Sequence, residues 1–174
     1  FVPWYVLKRH EKFGWGSDSR SLEGTYKISV RQKIDVSVTP EVIECYLHEY
    51  NKLPDSKVKG YVREFSAVLI QNAYDAGHNF FHLPIIKRKN PNITSKDLYL
   101  CYWHLHGTKD RPINIIIKGD FVQTYGSHLN HAKIKFSASK VSECAEYCKN
   151  SKIVFEGDAD NHSAGHSENC DVYL

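Results

Sequence analysis

Two histidines separated by one residue, in the segment His104-Leu105-His106, are the first candidates for chemistry in this 174-residue chain. Alternate residues of a β-strand project from the same face, so both imidazoles would point the same way in a strand. Two imidazoles on one face can ligate a divalent metal ion. Tyr147, roughly forty residues later, carries a phenol that attacks a phosphodiester when a neighbouring group activates it. These residues indicate metal-dependent chemistry on a nucleic acid as one interpretation.

The pair and the tyrosine together resemble the HUH endonucleases of rolling-circle replication, whose Tyr-containing motif follows the histidines at a comparable distance. The resemblance implies a single-stranded DNA endonuclease that binds a divalent metal ion through His104 and His106 and uses Tyr147 as its nucleophile. The chain departs from the family because Asn150 stands where a lysine is expected, and no acidic third ligand accompanies the pair. We keep this function as the alternative interpretation.

A second group of histidines and cysteines lies between residues 128 and 170. A structural zinc site needs about four convergent ligands. The repeat described below aligns some of these residues, but no column contains two of them in consecutive repeats, so we predict no metal and no other cofactor here. We interpret the five cysteines, an odd number without a CxxC spacing, as buried or free thiols. The group consists of His128, His131, His162, His166, Cys144, Cys148 and Cys170.

The composition is that of a globular domain. Apolar residues make up 41% and aromatic residues 13% of the chain, and no apolar run approaches the ~20 residues that a bilayer span requires. A net charge of +3 is too small to indicate nucleic acid as the main partner. We therefore expect a soluble protein, inside the cell rather than secreted. The absence of methionine leads us to expect that a start or a targeting segment has been removed.

The first part of the chain supplies the elements that would position these groups. TYKISVRQKIDVSVTP alternates apolar residues with a period of two and predicts a long strand. Thr39 is predicted to cap a helix that runs to about Tyr50, and Asp55 begins a longer helix that Gly77 ends. FFHLPII and DLYLCYWHLHG predict two further strands. We therefore expect residues 1–110 to form a compact α+β unit.

The rest of the chain is repetitive. The tetrapeptides NIII, KIKF, KIVF and DVYL start at residues 114, 133, 152 and 171, an unbroken period of 19. The second and fourth residues of each are apolar, as in strands that stack like residues in a core. The same period aligns Tyr147 with His128 and His166, so a corner of the repeat accounts for this tyrosine without any catalytic role.

Two columns of small residues share this period. The first follows each tetrapeptide, where a sharp corner or a close approach of the backbone would exclude large side chains. The second lies seven positions later. Their members are Gly119, Ala138 and Gly157 in the first column, and Gly126, Ala145 and Ala164 in the second.

A four-residue strand, a small-residue corner, a second short segment and another corner describe one turn of a parallel β-solenoid. We therefore predict an α+β protein in which residues 1–110 cap a short, right-handed parallel β-solenoid with 19-residue rungs. This solenoid would occupy residues 111–174, with three full rungs and a final strand. A β-meander with accidental spacing is the alternative.

The last repeat, KIVFEGDADNHSAGHSENCDVYL, resembles the GXGXG repeat of the C-terminal domain of glutamate synthase's large subunit, which formylmethanofuran dehydrogenase also contains. Gly157 and Gly165 occupy the glycine positions and Ala159 the small position between them. The first repeat matches through Gly119 and Gly126, whereas the middle repeat has alanines there. In these families the domain is a scaffold, and the flavin, iron–sulfur and glutaminase sites lie elsewhere. The resemblance therefore implies a structural role without catalytic residues.

Together these patterns predict a scaffold or assembly subunit without catalytic activity. Each end of a solenoid is an unpaired strand edge and is stable only when covered. The last strand would pair with another chain or a second copy, so we expect a protein partner or a homo-oligomer, with nucleic acid a weaker alternative. A third interpretation is a ligand-binding module that uses the aromatic residues near the start. The strand proposed for pairing consists of Asp171, Val172, Tyr173 and Leu174.

Overall fold

The computed structural model of this protein describes residues 38–51, 59–84, 104–123, 126–160 and 162–174. These residues form two α-helices and one five-stranded parallel sheet, which confirms the predicted α+β class. The strands lie in the sheet in chain order. The elements are α1 (Pro40–Asn51), α2 (Lys59–Asp75), β1 (Phe80–Pro84), β2 (Ile113–Gln123), β3 (Ala132–Ser142), β4 (Lys152–Ala159) and β5 (Asp171–Tyr173).

The start of α1 and the end of α2 have the local structure that the sequence predicts. The backbone N–H of Val42 donates a hydrogen bond to Thr39 Oγ1 at 3.5 Å, as a cap at the start of α1 requires. Gly77 follows α2 with a φ of +109°, and the N–H of His78 donates to the carbonyl oxygen of Ala73 at 3.0 Å. This is the hydrogen bond of a glycine-terminated helix. The predicted strand before Thr39 and the predicted start of α2 lie outside the described residues.

From β2 onward, most paired residues lie 19 positions apart in the sequence. Ile115 lies opposite Ile134, Ile134 opposite Ile153, and Ile153 opposite Val172. Side chains alternate between the two faces of a strand. With this register, residues at equivalent positions of neighbouring strands therefore lie on the same face and pack together in the core. The three isoleucines are at most 1% exposed. The predicted apolar columns are therefore confirmed as core residues in β2, β3 and β4.

Three strands of the repeat are longer than the four residues expected, because β2 and β3 each contain eleven and β4 contains eight. β2 and β3 continue through Gly119 and Ala138, which lie opposite each other, so the corner predicted at this column is wrong. The register of β3 with β4 shifts here, and Gly157 adopts a φ of +136°. A Cβ atom on Gly157 would overlap the carbonyl oxygen of Ala138. The glycine at position 157 is therefore required by the close approach of β3 and β4.

One hydrophobic core runs from the helices through the sheet. Tyr46 of α1 meets Phe65 of α2 edge to face, with ring centroids 5.6 Å apart. Phe136 and Phe155 of neighbouring strands stack at 5.2 Å. The predicted boundary between residues 110 and 111 falls in the loop before β2, and the core extends on both sides of it.

The loop before β2 is attached to α2 by side-chain hydrogen bonds. Gln71 Nε2 donates to the carbonyl oxygen of His106 at 3.3 Å, and the N–H of His106 donates to Gln71 Oε1 at 3.0 Å. The hydroxyl of Tyr74 donates to the carbonyl oxygen of Arg111 at 2.6 Å and accepts from the N–H of Thr108 at 3.1 Å. These contacts fix the loop against the helix.

Neither described helix is long and apolar enough to cross a membrane.

We predict that Gly157→Ala lowers the free energy of unfolding by roughly 2–4 kcal/mol, because the new methyl group needs both a left-handed backbone and space that Ala138 occupies. Gly77→Ala is the matched control. Gly77 also has a positive φ but no atom within 4 Å of an added Cβ, so we expect a loss of only about 1 kcal/mol. Urea denaturation measures both values. Equal losses in the two variants would contradict the close approach of β3 and β4.

Candidate functional site

The chain turns at three backbone positions that recur with the 19-residue spacing. At each of these positions φ is positive, between 48° and 72°. This conformation costs free energy for residues that carry a side chain, so the surrounding contacts must impose it. Backbone N–H groups of one turn donate to carbonyls of the next, for example Tyr147 to Gly165 at 2.9 Å. The three sets are Gly126, Ala145 and Ala164; His128, Tyr147 and His166; and His131, Asn150 and Asn169.

Four aromatic rings stack along one of these corners, and we call them the ring column: His104, His128, Tyr147 and His166. The centroids of His104 and His128 lie 4.6 Å apart. Those of His128 and Tyr147, and of Tyr147 and His166, lie 4.9 Å apart with planes inclined by 12°. The predicted alignment of Tyr147 with two histidines is therefore confirmed. The contact of His104 was not predicted, because this residue lies outside the 19-residue period.

The structure does not place the candidate nuclease residues as the motif requires. The strand predicted around DLYLCYWHLHG lies mostly outside the described residues, and its described end is irregular. His104 has a φ of +44°, and His106 makes an isolated backbone bridge to Asn130. The imidazole of His104 is buried in the ring column, whereas His106 is exposed, and His128 lies between His104 and Tyr147. The expectation of two imidazoles on one strand face is therefore wrong.

No group of three or more His, Cys, Asp or Glu side chains in the described part of the chain is arranged to hold a metal ion.

Polar side chains form ladders along the same corners. Asn150 Nδ2 donates to Asn130 Oδ1 at 3.0 Å, and Asn169 Nδ2 donates to Asn150 Oδ1 at 2.7 Å. Serine hydroxyls accept from backbone N–H groups 19 positions earlier, at 3.1 Å between Ala132 and Ser151. The N–H groups of Cys144 and Cys148 donate in the same way to Ser163 and Ser167. The serine hydroxyls satisfy backbone N–H groups, whereas the asparagine ladder joins side chains of successive turns.

Sequence analysis missed two carboxylates beside this corner. The carboxylate of Asp160 accepts hydrogen bonds from the N–H groups of Glu143 and His162 and from the hydroxyls of Ser142 and Ser163. Burial alone would raise the pKa of Asp160, but these hydrogen bonds outweigh it and lower the pKa. The Asp-x-x-Ser pattern of a capped turn was a usable signal for this residue.

No sequence pattern identified Glu146 in this way, because folding creates the surroundings that shift the pKa of its carboxyl. Burial raises the pKa of its carboxyl, and the neighbouring carboxylate of Glu143 raises it further. The histidines His166 and His162 act in the opposite direction. Glu146 therefore retains a proton to higher pH than an ordinary glutamate, next to the ring column.

The last strand exposes residues whose equivalents in other strands are buried. Val172 is 46% exposed, whereas Ile153, its partner in β4, is completely buried. Leu174 is 92% exposed, and Phe155, at the equivalent position of the repeat, is 3% exposed. Tyr173 is 48% exposed, with the ammonium group of Lys152 4.4 Å from its ring centroid. The residues predicted as an interface thus lie at an open strand edge of the described sheet.

The four described cysteines are all free thiols, and Cys101 lies outside the described residues. Cys144 and Cys148 are completely buried, whereas Cys170 is partly exposed. Burial raises the pKa of the Cys148 thiol to about 12. This thiol is therefore neutral and unreactive at physiological pH.

We predict that Asp160→Ala lowers the free energy of unfolding by about 1–2 kcal/mol at neutral pH, because four donors lose their acceptor. A lowered folded-state pKa stabilises the protein above the unfolded pKa, near 4, and this contribution disappears as the pH falls through the folded value. The difference between wild type and variant should therefore shrink in acid. Denaturation across this pH range measures it, with the exposed Asp158→Ala as control. An equal, pH-independent loss of unfolding free energy in both variants would contradict the role of Asp160 as the acceptor of these hydrogen bonds.

In native protein at pH 8, we predict that iodoacetamide modifies Cys170 at least about a hundredfold faster than Cys148, because the buried thiol stays protonated. Peptide mass spectrometry over time measures the two rates. In urea both cysteines should react at similar rates, which controls for local sequence effects. Comparable native rates would disprove the burial of Cys148.

Comparison with protein-family models, curated proteins and solved structures found no match for this chain. The resemblances to the GXGXG repeat and to the HUH endonucleases therefore stay predictions that depend on the residues quoted for them.

Proposed function

We propose that residues 111–174 form a short parallel β-solenoid with 19-residue rungs and act as a non-catalytic scaffold that pairs with another chain through β5. The solenoid is supported by the constant offset between paired residues and by the left-handed turns that recur with the same offset. It is also supported by the stacked rings and amide ladders, since a solenoid places like residues above one another. The resemblance to GXGXG scaffolds is consistent with this proposal.

The observation that carries the assembly function is the exposure of Val172. Its column is otherwise buried, with Ile115, Ile134 and Ile153 at most 1% exposed. Burying a valine side chain contributes about 1.5–3 kcal/mol. A further strand beside β5 would gain part of this energy, since Val172 is 46% exposed, and would also pair the backbone groups at the edge. The opposite end of the described sheet differs, because α1 packs against β1.

A second copy of the chain is the partner to test first, because each copy presents the same edge and two such edges can pair about a twofold axis. Tyr173 and Leu174 would become buried in the same contact. Strand addition of this kind derives affinity from main-chain hydrogen bonds and specificity from alternate side chains.

We predict that Val172→Lys weakens self-association at least about tenfold, because a lysine on a strand edge opposes pairing with another strand. Multi-angle light scattering over a micromolar concentration series measures the change. Phe80→Lys is the matched control, since Phe80 is also an exposed large apolar residue, 50% exposed, but lies on β1 at the other side of the sheet. A monodisperse wild-type monomer, or equal weakening by both variants, would reject the proposed pairing.

The nuclease alternative has a direct test. Wild-type protein is incubated with labelled single-stranded DNA and Mn²⁺, and covalent transfer of label to the protein is measured. On the scaffold proposal no transfer occurs, whereas transfer that is lost in Tyr147→Phe would reject it. The Tyr147 ring stacks between two histidines, and phenylalanine keeps this stacking, so the substitution removes the hydroxyl alone.

A further inference from the structure

A polar groove of about 530 Å³ lies where β3, β4 and β5 begin, next to the loop before β2. Of the residues that line it, the proposed scaffold function uses Asp171 alone. We call it the lysine groove, because three of the residues that line it are lysines from three different segments. The residues that bear on its binding properties are Lys109, His131, Lys133, Asn150, Lys152 and Asn169.

The charge of the lysine groove is not balanced locally. Asp171 is the one acidic residue among the described residues that line it. On the same sheet, by contrast, Lys135 has an acidic partner, since its Nζ lies 2.6 Å from Glu156 Oε1. In the described part of the chain, Lys109 and Lys133 make no ion pair. The groove therefore presents a positive potential that an anionic ligand would neutralise.

Two of these lysines repel each other. Lys133 and Lys152 are register partners in neighbouring strands, so their backbones lie about 4.8 Å apart. Like charges directly opposite in a sheet are destabilising. The Lys152 ammonium group is also held 4.4 Å from the ring centroid of Tyr173, which keeps it over β5. An anion bound between the two lysines would convert this repulsion into attraction.

The asparagine ladder supplies neutral donors beside the lysines. Asn169 Nδ2 donates to Asn150 Oδ1 at 2.7 Å, and Asn150 Nδ2 donates to Asn130 Oδ1 at 3.0 Å. A side-chain amide carries two N–H groups, and the ladder uses one on each of these two residues. The second N–H of Asn150 and of Asn169 can donate to an oxygen of the ligand. Ammonium and amide donors together are suited to phosphate oxygens.

We propose that the lysine groove binds a diphosphate group, with Lys133 and Lys152 each contacting one phosphate. The volume lies in the range of small-molecule sites. A nucleic acid is less suited, because no Phe, Tyr or Trp is among the described residues that line the groove and the net charge of the chain is only +3. The diphosphate is either free or carried by a nucleoside, since both present the same oxygens.

Isothermal titration calorimetry of the full chain with inorganic pyrophosphate, at constant ionic strength, tests this proposal. We expect saturable binding that Lys133→Gln and Lys152→Gln each weaken about tenfold, as for loss of one charged contact. Lys140→Gln is the matched control, because Lys140 is an exposed lysine of β3 that does not line the groove, and it should bind like wild type. Circular dichroism verifies that all variants are folded.

The remaining comparisons separate the possible outcomes. ADP in place of pyrophosphate distinguishes the two sources: equal affinity indicates a free diphosphate, and tighter ADP binding indicates a nucleoside-bound one. Asp171→Asn should strengthen binding, because it removes the acidic residue of the groove.

No saturable binding of either ligand, or an equal loss of affinity in Lys140→Gln, would overturn the proposal. Binding of single-stranded DNA through the same lysines without binding of pyrophosphate would overturn it too. Because Lys133 lies on β3, the Lys133→Gln comparison does not depend on pairing at β5.

Discussion

The structure depends on one register: in the parallel sheet, most residues of β2 to β4 lie opposite the residue 19 positions further along the chain. A shift of one position would move Ile134 and Phe136 from the core to the surface, so burial of these columns holds the register in place. The segments between the strands must then return the chain over a constant distance. Three left-handed residues in each repeat make that return, and the strain at these residues is offset by the core that they allow to form.

The same register explains the surface. It places Tyr147 between His128 and His166 at the corner. It also aligns asparagine amides that bond to one another and serine hydroxyls that accept from backbone N–H groups. The register places charged side chains next to each other whether their charges attract or repel. Lys135 and Glu156 of adjacent strands form an ion pair, whereas Lys133 and Lys152 face each other as like charges. A repeated backbone therefore creates both the stable ladders and the charged groove.

The two proposed interactions arise from different features of this repetition. At β5 the pairing of the described strands stops, and side chains that would be buried within the sheet are exposed. Along the starts of the strands the pairing continues, but among the described residues a single carboxylate, that of Asp171, faces the three lysines of the groove. The first feature favours another strand and the second favours a small anion. A scaffold with a ligand groove beside its pairing edge would allow the ligand to influence assembly, since Asp171 belongs to both.

The sequence by itself determined the period, the apolar columns, the capped start of α1 and the end of α2 at Gly77, because each depends on residues near in sequence or on regular spacing. It also aligned Tyr147 with its neighbouring rings. Only the tertiary structure decided that the strands continue through Gly119, that His104 joins the ring column, and that Asp160 binds four donors. These depend on the approach of backbones and side chains from separate turns of the chain, and neither periodicity nor local propensity contains those distances.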